Sequence, residues 1–127
     1  MGRFLLICLG GAAGTAARYG VQVWAREALG TVFPWGTLLV NLLGSFLIGV
    51  IMHVGLNSEV MSVTTRMALV TGVMGGFTTY SSFNYETLAL LEQRSFALSA
   101  LNIAATLLGC WVAGALGLLL GRRLVGG

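Results

Sequence analysis

Four stretches, each about twenty residues long and almost free of charge, set the limits on what this chain can fold into. Phe4 to Trp24 holds one charged residue, Arg18; Trp35 to Leu56 holds none; Met67 to Leu91 holds one, Glu86; Phe96 to Leu120 holds none. A helix that crosses a bilayer needs roughly 20 consecutive, mostly apolar residues. The chain therefore reads as an all-α integral membrane protein of four transmembrane helices, a single domain over residues 1–127. Its connectors, Ala25 to Pro34, Asn57 to Arg66 and Glu92 to Ser95, leave no room for a soluble domain. The first stretch follows Arg3 and carries small residues near Ala16, as a secretory signal does, but three later spans continue the pattern and argue against cleavage.

Composition narrows the chemistry. Of 127 residues, 57% are hydrophobic and 9% charged, against roughly a quarter charged in a soluble domain. The acids are Glu27, Glu59, Glu86 and Glu92, with no Asp and no Lys, which leaves little for acid–base catalysis or zinc ligation. The seven cations are all Arg and are scattered along the chain, so they mark span ends and form no phosphate-tracking stripe; no nucleic-acid partner is expected. Cys8 and Cys110 lie in apolar runs and read as two small buried thiols, not as a disulfide or metal framework.

The same arginines set topology weakly. Arg3, Arg66, Arg122 and Arg123 fall on one side and Arg26 and Arg94 on the other, with Arg18 near a span end. So small a bias permits insertion either way up, and hence an antiparallel homodimer of opposite topologies. Gly109, Ala113, Gly117 and Gly121, and Gly10 with Gly14, recur at four-residue steps and let helices approach closely in lipid. Four short helices enclose little volume, so a transport pathway calls for a second copy.

The polar residues inside the spans carry most of the functional information. Thr71 to Thr87 includes Gly75-Gly76-Phe77-Thr78-Thr79-Tyr80-Ser81-Ser82-Phe83, with six hydroxyl-bearing residues between Thr78 and Tyr85. Paired glycines followed by β-branched threonines predict a local helix break at Gly75 to Thr79. Freed backbone groups at membrane depth are tolerated only in protein or beside a wet cavity, and such breaks form ion sites in transporters. Helical spacing puts Phe77, Tyr80, Phe83 and Thr87 near one face and Thr78, Ser81, Ser82 and Tyr85 near another. Packed rings and hydroxyls bonded to their own helix are the alternative.

Asn41, mid-span with Thr37 a turn earlier, is either interhelical glue or an amide donor to an anion. Arg18 and Glu86 are functional candidates as intramembrane charges, with snorkelling as the alternative. His53 reads as structural, and Asn102 and Thr106 as minor members of the same polar track. A lining of hydroxyls, an amide and ring edges, almost without carboxylate, favours a small anion.

The run Gly75 to Phe83 followed by Tyr85-Glu86-Thr87 resembles the signature of the CrcB/Fluc family of fluoride channels. Gly36-Thr37-Leu38-Leu39-Val40-Asn41 resembles the family's second-helix motif, and Gly10-Gly11 through Ala17-Arg18-Tyr19 its first helix. The resemblance implies a dual-topology antiparallel homodimer in the inner membrane, with passive fluoride export and discrimination against chloride. It implies Tyr80 and Phe83 as rings whose edges face fluoride and Asn41 as a pore-lining amide. Thr37, Thr79, Ser81 and Ser82 are implied as pore hydroxyls, with Arg18 and Glu86 as recurrent charged positions. The backbone carbonyls of Gly75 and Thr78 are implied to hold a structural sodium ion at the dimer centre. Tyr80 stands where the family usually has Phe, Ser82 where many members have Thr, and Cys110 where relatives often place Ser. A fluoride-selective channel without chemical catalysis is the leading expectation. A proton-coupled four-helix multidrug antiporter would need an acid in the first span, where this chain has Arg18, and a purely structural membrane subunit leaves the hydroxyl and aromatic stripes unexplained.

Overall fold

A computed structural model describes residues 1–126, which are all-helical, with no strand among them. α1 (Gly2–Leu29) ends at Gly30, whose φ of 87° suits a residue without a Cβ. α2 (Trp35–Asn57) begins after Pro34. α3 (Val63–Met67) is capped by Ser62, whose hydroxyl accepts the Thr65 amide at 3.1 Å. The backbone stays helical through a π-helical segment, Ala68–Met74, and α4 (Gly75–Phe77). Thr78 and Thr79 are extended, at φ/ψ −84°/158° and −154°/113°. α5 (Tyr80–Glu92) and α6 (Phe96–Val125) follow.

Three helices, α1, α2 and α6, are long and apolar enough to cross a membrane. At 1.5 Å per residue, the 23 residues of α2 extend about 34 Å, enough for the roughly 30 Å hydrocarbon layer. The third apolar stretch is divided among α3, the π segment, α4 and α5.

Glycine steps set how the helices meet. A Cβ on Gly10 would lie 2.7 Å from the Ala68 carbonyl oxygen, and one on Gly72 would lie 2.7 Å from that of Ile7. Gly14 and Gly76 repeat the arrangement a turn later, against the carbonyls of Val73 and Gly11. α1 thus meets the π segment and α4 backbone to backbone, through small residues four apart on both partners. The α2–α6 contact is built likewise: a Cβ on Gly49 would lie 2.6 Å from the Gly114 carbonyl oxygen, and Gly117 faces that of Phe46.

The interior reverses the order of a soluble core. Thr37, Asn41, Thr79, Thr87, Ser99, Asn102 and Thr106 are buried, while leucines and tryptophans cover the outside; Trp111 is 85% exposed. Asn102 and Ser99 rank with Val40 as the largest fully buried side chains. Lipid solvates an apolar exterior at no cost, whereas buried polar groups must pair with one another. Thr87 is the hub of one such set. Its hydroxyl donates to the Phe83 carbonyl at 2.7 Å and accepts from Asn102 Nδ2 at 2.9 Å, and its own carbonyl accepts from Ser99 at 3.2 Å.

Candidate functional site

The interruption between α4 and α5 is built by a side chain of α2. In a continuing helix the Thr79 amide would bond the Gly75 carbonyl, four residues back. Instead it donates to Asn41 Oδ1 at 2.8 Å, while Asn41 Nδ2 donates to the Thr79 carbonyl at 3.0 Å. One amide side chain thereby satisfies both backbone groups of an extended residue, as a neighbouring strand would. Gly44, three residues on, leaves room for the Thr78 methyl, which a Cβ there would overlap.

Among the last carbonyls before the interruption, two have donors redirected to side chains. Gly75 forgoes the Thr79 amide. Thr78 forgoes the Ser82 amide, which donates to Thr79 Oγ1 at 3.2 Å and so caps α5. The Thr78 carbonyl accepts Arg18 Nη1 from α1 at 3.3 Å instead. Thr78's own amide and hydroxyl both donate to the Met74 carbonyl, each at 2.9 Å, and are the last bonds of α4.

The hydroxyls gather at the start of α5. Thr79 Oγ1 lies 3.1 Å from Ser82 Oγ, to which it donates, and 3.3 Å from Ser81 Oγ. The Tyr80 and Phe83 rings meet edge to face, with centroids 5.5 Å apart and an interplanar angle of 62°. Phe83 is buried, and Tyr80 is 72% exposed on the chain's outer side. Toward one end of the bundle, Thr37 donates to Glu86 Oε1 at 2.8 Å and accepts from Gln22 Nε2 at 3.3 Å. These three residues help line a cavity of about 450 Å3, which also borders Arg26, Tyr85 and Gln93.

Over residues 5–118 the chain matches the family described as CrcB-like protein, Camphor Resistance (CrcB). The chain belongs to the CrcB family. Among CrcB relatives, the Fluoride-specific ion channel FluC of Sorangium cellulosum is 54% identical over 127 residues, covering 100% of both chains. The protein of the same name from Anaeromyxobacter sp. (strain K) is 56% identical, over 99% of this chain and 100% of its own. A Thermus thermophilus counterpart is 47% identical over 99% of this chain and 100% of its own. Family and long apolar helices together make this a multi-pass membrane protein.

Several site residues expected from the CrcB-like motifs sit differently from the sequence reading. The expected break at Gly75 to Thr79 narrows to Thr78 and Thr79, and both glycines are helical. Their work is helix contact, at least for Gly76, which faces the Gly11 carbonyl. Tyr80 is exposed where Phe77, Phe83 and Thr87 are buried, although its ring still meets that of Phe83 one turn on, because no other helix among the described residues covers it at the start of α5. Asn41 and Thr37 share no hydrogen-bond partner. Asn41 is spent on Thr79, and Thr37 on Glu86 and Gln22. Asn102 and Thr106 are both buried; Asn102 bonds Thr87, and Thr106 Oγ1 has no partner among the described residues. Gln22 escaped the sequence reading, although it stands four residues after Arg18 and on the same helix face.

Proposed function

We propose that this chain is a fluoride-selective channel that gives passive fluoride export across the inner membrane and protects the cell from fluoride. The observation that carries this reading is full-length identity of 54% and 56% with relatives named fluoride-specific ion channels. The donor set agrees with it. Hydroxyls of Thr79, Ser81 and Ser82 cluster at the start of a 13-residue helix whose N-terminus carries partial positive charge. Beside them, the Tyr80–Phe83 pair offers positive ring edges. A compact anion must exchange its hydration shell for such donors, and neutral donors do so without a competing fixed charge.

The working unit is an antiparallel homodimer of opposite topologies. Support comes from the polar outer side of α5, where Tyr80, Ser81, Asn84 and Tyr85 are all exposed in one chain. At membrane depth such a face requires protein or water beside it, not lipid. A second copy supplies the cover, and the α3-to-α5 pieces act together as one broken span.

The carbonyls of Gly75 and Thr78 fit a structural sodium ion, because both are released from helical bonding, by Asn41 and by the Thr79 cap. Sodium is a hard cation that takes oxygen ligands and would tie the two breaks together at the dimer centre. Arg18 shares the Thr78 oxygen and holds it in place from α1.

Protein in liposomes loaded with potassium fluoride is expected to release fluoride, read with a fluoride electrode, while chloride-loaded vesicles hold their content. Release no faster than from protein-free vesicles overturns the proposal. Phe83→Ile is expected to cut release at least about tenfold while the dimer still elutes intact, since it removes the buried ring edge.

A further inference from the structure

Gln22 has no part in the reading above, and hydrogen-bond bookkeeping gives it one. Thr37 Oγ1 carries a single proton, which it donates to Glu86 Oε1 at 2.8 Å. Any group facing the threonine's lone pairs must then be a donor, so the Gln22 amide presents its NH2 at 3.3 Å and not its oxygen. Glu86 Oε2 is buried without a partner among the described residues, so the Thr37 proton is what the carboxylate receives. The close passage of α1 over α2 depends on Gly36, where a Cβ would come within 2.8 Å of Gln22 Cα. That glycine, adjacent to Thr37, brings Gln22 within reach.

We infer that Gln22 is a positioning residue that acts through the Thr37 hydroxyl, holding its oxygen while the proton turns between Glu86 and an anion in the adjoining cavity. The inference rests on the fluoride reading. Thr37 is 3% exposed. Its oxygen therefore has little water to turn to when the proton swings away from Glu86, and the Gln22 N–H keeps it paired throughout. Linked hydrogen bonds polarise one another, so the same contact makes Thr37 a stronger donor to whichever acceptor it faces.

The test is a cycle in fluoride-loaded proteoliposomes. Gln22→Met keeps the stem over Gly36 and removes the donor; it is expected to slow release about three- to tenfold, the size of one hydrogen bond. Thr37→Val removes the hydroxyl, and adding Gln22→Met to it is expected to change nothing further. Gly36→Ala should reproduce Gln22→Met with the same dependence on Thr37. Unaltered release from Gln22→Met, or the same slowing in the Thr37→Val background, overturns the inference.

A second readout needs no ion flux. With only four glutamates in the chain, 13C-labelled glutamate gives a resolvable Glu86 carboxyl signal, identified by its loss in Glu86→Gln. That signal should move in Gln22→Met and stay put when Gln22→Met is added to Thr37→Val; a signal unmoved in Gln22→Met overturns the inference. If wild-type vesicles release no fluoride, the functional proposal falls, and the carboxyl signal still decides the part played by Gln22. Should Gln22→Met not assemble, Gln22→Leu serves the same cycle.

Discussion

Two seams hold this molecule together, and they obey different rules. Where α1 meets the π segment and α4, and where α2 meets α6, glycines let backbones touch and no side-chain hydrogen bond crosses at Gly10, Gly14, Gly72 or Gly76. Where α2 meets the start of α5, Asn41 exchanges two hydrogen bonds with an extended residue, and hydroxyls crowd the helix end. In lipid there is no hydrophobic force between helices, so the first seam is held mainly by close packing, with the Arg18 bond to the Thr78 carbonyl at the end of α4. The second is held by the cost of leaving backbone groups unpaired. Shape specifies one seam and directed bonds the other, so they should fail differently.

The largest effect is expected in the packed seam. A Cβ on Gly14 would overlap the Val73 carbonyl oxygen and lie 2.9 Å from the Phe77 amide nitrogen, and neither is a flexible side chain. Gly14→Leu must therefore push α1 off the π segment, at more than about 3 kcal/mol. The expected outcome is no monodisperse peak on gel filtration. Gly20→Leu meets nothing within 4 Å and should elute and melt like the wild type. A well-behaved Gly14→Leu protein would break the claim that this seam is specified by shape.

The polar seam should yield more gradually. Asn41→Leu leaves the Thr79 amide and carbonyl without partners, at about 1–3 kcal/mol for each group. Asn41→Asp in its neutral form keeps an acceptor for the Thr79 amide and an O–H donor for its carbonyl, so a smaller loss than with Leu is expected. The ordering wild type, Asp, Leu should appear in Tm, and amide exchange at Thr79 should rise in the Leu variant alone. Equal exchange in Asp and Leu would mean that the Oδ1 bond does not hold the break.

The two seams were also unequally legible in the sequence. Gly117 and Gly121 of α6 announce themselves by four-residue steps, because a regular helix turns spacing into a face, and the structure puts both against α2. Gly72 and Gly76 follow the same rule but lie in a run whose hydroxyls drew a chemical reading. The Asn41–Thr79 clamp was hidden for a different reason. Its second partner is backbone, which every residue possesses, so no pair of residue types signals it. Tyr80 is exposed for another reason: helical spacing puts it beside Phe83, which the ring contact bears out, but spacing does not say whether another helix covers the first turn of α5. Arg18 and Glu86 were visible as intramembrane charges, but their partners, the Thr78 carbonyl and the Thr37 hydroxyl, lie 60 and 49 residues away in sequence.

The smallest effect is expected at Tyr80, and it sharpens the comparison by separating the ring from its hydroxyl. The ring packs edge to face on Phe83, and the side chain is 72% exposed in one chain. Tyr80→Phe keeps the edge and removes only an oxygen that bridges neither seam, so Tm should move by no more than an exposed substitution does, within about 0.5 kcal/mol. Fluoride release from vesicles should likewise stay within about twofold, because the ring edge that the proposed function offers to an anion is retained. Release that falls tenfold at unchanged Tm would assign the phenolic proton a direct place on the path and add Tyr80 to the hydroxyl cluster of Thr79, Ser81 and Ser82. A large fall in Tm would mean that the Tyr80 oxygen is bonded across the proposed dimer, which would extend the directed-bond seam from one chain to its partner.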